Sequence, residues 1–132
     1  MKYRNLTKDI YHQTNSYDPI VICNYYNIPI IYDKNLKDIH GKLEVDDKNF
    51  KIILPLDSKW NVEAYIGCAL NFGKILKYDT LISLDKYQSC FNKKEFDPYH
   101  FGRELYLKFI KSNEDYSFVH IKEADQIFKS GK

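Results

Sequence analysis

Four histidines and three cysteines are the side chains of this 132-residue chain best suited to hold a metal or attack a substrate. Their spacing limits that chemistry. Cys23, Cys68 and Cys90 are odd in number and far apart, and no two form the Cys-x-x-Cys spacing of a metal or redox motif. Cys23 and Cys68 fall inside apolar helical patterns, where a thiol behaves as a small hydrophobe. A nucleophilic Cys68 would need a positive, partly exposed setting, and its setting is predicted to be dry. Asp97 and His100 stand three apart at a helix start and share a face, a two-ligand fragment that would need His40 or His120 as a third ligand. A lone histidine is more often a surface or satisfied core residue, and His40 before Gly41 reads as turn material. The five glycines never cluster into a phosphate loop, and there is no Gly-x-Ser-x-Gly elbow.

The bulk properties narrow the class. A chain of 15.8 kDa with 44% hydrophobic and 29% charged residues reads as one domain over residues 1–132, able to bury a core without staples. The net charge is +2, with Lys alternating with Asp and Glu, so no stripe of like charge tracks phosphates and nucleic acid is not expected as the main partner. Arg4 and Arg103 are the only arginines among twenty basic residues, and tyrosine occurs twelve times, a bias that A/T-rich coding produces. Unpaired cysteines, the absence of an apolar stretch in the opening MKYRNLTKDI, and the lack of any apolar run of membrane length point to a reduced, cytoplasmic protein outside the membrane.

The elements that must position these residues are organised around Asn61–Tyr78. Val62, Tyr65, Ile66, Ala69, Phe72 and Leu76 recur at helical spacing, and Ala64–Phe72 is apolar almost all round, so this is predicted as a buried central helix with Asn71 as its odd polar residue. Before it, Leu6 and Ile10 mark a short amphipathic helix over residues 2–13. Asp18-Pro19 caps a second helix running to about Tyr26, ended by Pro29. Ile28–Tyr32 reads as a strand, and Gly41–Val45 and Phe50–Leu54 read as a hairpin around the turn Asp46–Asn49. After the central helix, which Ser58 or Asn61 can cap, a short helix is predicted from Leu81 to Phe91. Asp97-Pro98 starts a helix to about Lys111, and a last one covers Ile121–Phe128. The fold class is α+β: a small three-stranded sheet, a hairpin plus one strand, packed on a buried helix with further helices.

That order resembles the ImmA/IrrE-type metallopeptidase domain, small zinc peptidases found beside repressors in phages and mobile elements. DPIVICNYYNIPIIY is similar to the family's Asp-Pro helix followed by its Ile-x-Val strand. Gly41 begins the hairpin where the family has a Gly, Phe50–Leu54 looks like its Ile-Ile strand, and HFGRELYL resembles its later Phe-Ala-x-Glu-Leu-Leu helix. The resemblance spans residues 17–110 and implies a zincin-like fold. The family's buried helix reads Ala-His-Glu-Leu-Gly-His, with two His one turn apart for zinc and a Glu to take a proton from the metal-bound water. Here the matching stretch is Ala69-Leu70-Asn71-Phe72-Gly73-Lys74, and no histidine lies between His40 and His100. The family's third ligand, a Glu, falls on Asp97, which the helix-cap reading already explains.

The resemblance therefore implies an inactive relative: no catalytic residue, no metal, no cofactor, and vestigial active-site positions at Leu70, Asn71, Lys74 and Asp97. An ion pair between Lys74 and Asp97 would fill the vacated site. The function implied is a protein-binding pseudo-peptidase, an antirepressor-like regulator of phage or mobile-element origin that sequesters a repressor-type or host defence protein. Candidate binding residues are the aromatics Tyr25, Tyr26, Tyr78, Tyr87 and Tyr99, which would equally serve to cap the core. The alternatives are a metal-dependent peptidase or hydrolase with ligands relocated to Asp97, His100, His40 or His120, and a small subunit of a larger complex.

Overall fold

Asp18 and Asp97 act on the helices that follow them in the way their Asp-Pro dipeptides predict. In the computed structural model, which describes residues 3–38, 40–47, 49–55, 62–78 and 95–112, the Ile20 N–H donates to Asp18 Oδ1 at 2.9 Å, with Pro19 in the first turn. Likewise the Tyr99 N–H donates to Asp97 Oδ1 at 2.9 Å. Each carboxylate satisfies an amide that the helix itself cannot.

Four helices and three strands are described: α1 (Tyr3–Thr14), α2 (Pro19–Tyr25), β1 (Ile30–Asp33), β2 (Lys42–Asp46), β3 (Asn49–Pro55), α3 (Val62–Tyr78) and α4 (Pro98–Ser112). The short helix predicted from Leu81, the last helix from Ile121, and the Ser58 and Asn61 caps lie outside the described residues, as do Cys90, His120 and Tyr87. None of the described helices is long and apolar enough to cross a membrane.

The signal that ends α2 is Asn27 rather than Pro29. Asn27 adopts φ 59°, its N–H donates to the Asn24 carbonyl at 3.1 Å, and the Ile28 N–H reaches back to the Cys23 carbonyl at 2.9 Å. This is the paired closure of a helix end through one left-handed residue, a conformation Asn tolerates. Asn15, at φ 60°, also ends α1 in the left-handed conformation, with a single bond from its N–H to the Tyr11 carbonyl.

The sheet has the order β1-β3-β2, with β1 parallel and β2 antiparallel to β3. The hairpin is tighter than the predicted four-residue turn, because Asp46 pairs with Asn49 and Asp47 takes φ 57°. Left-handed backbone suits the two-residue connections that match strand twist. Phe50, Ile52 and Leu54 alternate along β3 on the face toward the core. Before β2, Gly41 sits at φ 69°, and a side chain there would bring its Cβ to 2.5 Å from the Ile53 carbonyl oxygen. Only glycine fits that conformation and that space.

Helix α3 is buried as its sequence predicts. Ala64, Ile66, Cys68, Ala69, Leu70, Phe72, Ile75 and Leu76 are each under a twentieth exposed. One side joins the core made with β3, α1, α2 and the Phe101–Leu105 stripe of α4, and another packs Ile66 against Tyr106, Phe109 and Ile110. Gly102 makes the close crossing with α4 possible, since a Cβ there would lie 3.1 Å from the Leu70 Cα. The start of α4 is also tied to α1: the Tyr3 hydroxyl accepts from the Asp97 N–H at 2.9 Å, and the Tyr3 ring meets Phe96 edge-on.

Candidate functional site

Asn71 is fully buried, and its amide nitrogen donates to two backbone carbonyls, Gly67 at 2.8 Å and His40 at 2.9 Å. Both partners are acceptors, so the amide orientation is fixed by chemistry. The first bond runs back one turn within α3. The second crosses to the loop before β2 and anchors it. That loop is shaped by Asp38, whose carboxylate accepts from the His40 N–H at 3.0 Å and whose carbonyl accepts from the Gly41 N–H at 3.1 Å. Gly67 completes the fit: a Cβ there would lie 2.7 Å from the His40 carbonyl oxygen. Among the described residues, the Asn71 amide oxygen has no hydrogen-bond partner.

His40 is turn material in its backbone but not in its side chain. His40 is 8% exposed, neither ring nitrogen has a hydrogen-bond partner among the described residues, and the Tyr99 ring packs on it edge-to-face at 6.5 Å. Burial pushes the imidazole pKa below its ordinary value. Asp38 opposes that shift, and Lys74, one turn beyond Leu70 on α3, adds to it. The balance of these effects favours the neutral imidazole. The sequence carries no signal for this burial, because it depends on α4 bringing Tyr99 over the loop.

The four positions marked by the resemblance do not form one constellation. Leu70 is fully buried beneath the backbone of Gly102. Asn71 bonds to the His40 loop, and the Lys74 charge acts on the His40 imidazole. Asp97 is occupied on its own helix, accepting from the Tyr99 N–H and meeting His100 Nδ1 at 3.0 Å. Lys74 makes no ion pair with Asp97 among the described contacts, so the expected filling of the site by that pair does not occur. The physical reason is local: a cap carboxylate already has two donors within three residues of it.

These residues do not fit a zinc ion. Leu70 offers hydrocarbon, Lys74 a cation, and Asn71 points its amide protons at carbonyls, leaving one neutral oxygen. Asp97 and His100 touch each other, whereas His40 is covered by Tyr99. Among the described residues, no three His, Cys, Asp or Glu side chains come close enough to hold a metal ion.

Of the candidate binding tyrosines, Tyr25 is 54% exposed. Tyr26 is packed into the fold: its ring stacks on Phe72 at 5.9 Å, its hydroxyl donates to Gln13 Oε1, and burial together with Tyr25 pushes its pKa up to about 12. Tyr99 is half-buried over His40. The side chain of Tyr78 is outside the described part, as is Tyr87. Val21, Ile31, Tyr32 and Val45 are exposed apolar residues that sequence reasoning passed over, because each sits in a pattern that reads as core. A groove of about 620 Å³ opens between the α2–β1 turn and the hairpin, lined by Tyr26, Ile28, Glu44, Phe50, Lys51 and Ile75 among others. It includes none of Leu70, Asn71, Lys74 or Asp97.

No family model matches this chain, and no curated protein or solved structure is found similar to it.

Proposed function

We propose that this chain is a non-catalytic, protein-binding regulator built on the plan of the ImmA/IrrE-type peptidases, with a zincin-like arrangement of sheet and buried helix. The observation that carries the reading is Asn71. In the resemblance it stands where a peptidase has its general base, and here its amide directs both protons to the carbonyls of Gly67 and His40. A group in that role braces a loop; it cannot take a proton from water. The flanking positions support the same reading, since Leu70 and Lys74 supply no metal ligand. A fold relieved of chemistry can still present a surface. The partner class the resemblance favours is a repressor-type regulator or a host defence protein, with exposed Tyr25 as the first candidate anchor.

A second reading, a metal-dependent hydrolase with relocated ligands, draws on one contact, that of His100 Nδ1 with Asp97 at 3.0 Å. Elemental mass spectrometry on protein purified without chelator and re-incubated with zinc separates the two. Under about a tenth of an equivalent, with no thermal shift, supports the binder. About one equivalent that survives dialysis and is lost in Asp97→Ala and His100→Ala overturns it.

A further inference from the structure

Cys23 and Cys68 are both fully buried, and their sulfur atoms lie 3.5 Å apart. Neither is engaged elsewhere in a disulfide. Cys23 sits on the inner face of α2 and Cys68 near the middle of α3, forty-five positions later. Two sulfurs in contact across two packed helices are a different matter from one buried thiol. A disulfide needs about 2.05 Å between sulfurs, so closing the pair takes about 1.5 Å, a distance within reach of side-chain rotation.

We infer that Cys23 and Cys68 form an oxidisable pair, which a small two-electron oxidant of the peroxide class converts into a disulfide joining α2 to α3. The balance is simple. One sulfur, as thiolate, attacks a peroxide oxygen; the O–O bond breaks, the departing oxygen leaves as water after protonation, and a sulfenic acid forms. The second sulfur attacks that sulfur, the S–O bond breaks, and a second water carries off the remaining thiol proton. Two thiols and one hydrogen peroxide give one disulfide and two waters.

The surroundings set when this happens. Burial and the contact with Cys23 push the Cys68 thiol pKa well up, so Cys68 resists ionisation and is slow to react at rest. Reaction then depends on opening of α2, which has only seven residues and buries only Pro19, Ile22 and Cys23. The bond would close a loop that contains β1, β2 and β3, and would fix it next to Gly67, whose carbonyl accepts from Asn71. This device needs neither a partner nor a peptidase ancestry, so it stands or falls apart from the proposed function.

The test uses the full chain, reduced, freed of reductant, and exposed while folded to a slight excess of hydrogen peroxide. Free thiols are then alkylated and the protein is digested without reductant. The expected product is a peptide joining Cys23 to Cys68, formed in Cys90→Ser as well as in the unaltered chain. It should be accompanied by a rise in Tm of about 5–15 °C that reductant reverses. Three results would each overturn the inference: linkage through Cys90, further oxidation of single thiols, or Cys23 and Cys68 left free under conditions that oxidise the unfolded chain in guanidinium. None of these readouts requires a variant at Cys23 or Cys68, whose loss could itself disturb the core.

Discussion

The side-chain amide of Asn71 is bonded to the backbone carbonyl of His40 at 2.9 Å, across thirty-one residues of sequence. It is a long-range polar tie inside an apolar helix, and it fixes the loop that leads into β2. The approach is close because Gly67 has no side chain to keep the loop away. Removing the amide leaves two carbonyls buried with fewer partners, an arrangement that costs free energy out of proportion to one bond.

Asn71→Leu should therefore destabilise the fold by about 2–4 kcal/mol, and Asn71→Asp by more, because a carboxylate would face two carbonyl oxygens. Urea denaturation measures both. If the site were catalytic and only masked, Asn71→Glu would gain peptidase activity with zinc. The expected result is loss of stability with no activity.

Gly67→Ala should cost about 1–3 kcal/mol, since the new Cβ would meet the His40 carbonyl oxygen at 2.7 Å, a backbone atom that cannot swing aside. A variant of unchanged Tm would show that the loop can retreat, and would weaken the account of the Asn71 tie.

The buried His40 gives a pH signature with a definite sign. Its pKa is lower in the folded chain than the ordinary 6.5, so between those two values the unfolded chain binds more protons. Its contribution is thus complete above about pH 6.5 and is lost as pH falls through that value toward the folded-state pKa. Lys74→Met removes one cause of the depression and should make the acid loss shallower. Asp38→Asn removes the opposing charge and should make it steeper. Denaturation midpoints from pH 5 to pH 8 test the order of the three proteins.

Asp97→Ala removes the cap of α4 and should cost about 1 kcal/mol. Because Lys74 and Asp97 form no ion pair, the cost should be the same in a Lys74→Ala background, to within about 0.3–0.5 kcal/mol. A larger coupling energy would mean that the two side chains meet in solution.

Tyr25→Ala removes an aromatic side chain that is 54% exposed, and its effect on stability should stay within about 1 kcal/mol. If α2 presents the binding surface, capture of a partner should drop at least about tenfold while Tm holds. Equal capture by both proteins would move the search to Ile31 and Tyr32 on the edge strand β1.

Local chemistry and hydrophobic period were sufficient for much of this. Asp18-Pro19 and Asp97-Pro98 name their helix starts because a cap acts within three residues. The all-round apolar run from Ala64 to Phe72 identifies a central helix because nothing else can hide it, and the alternation of Phe50, Ile52 and Leu54 marks a strand with one face inward. That Leu70-Asn71-Phe72-Gly73-Lys74 contains no histidine is equally a property of the sequence. What tertiary structure decided lies between residues far apart in the chain. Asn71 meets His40, Tyr99 covers the His40 ring, Cys23 meets Cys68, and Gly102 lets α4 lie on Leu70. Asp97 turns to His100 instead of Lys74. No period or dipeptide encodes such meetings, because each depends on how two or more elements pack, and packing is settled by the whole core at once.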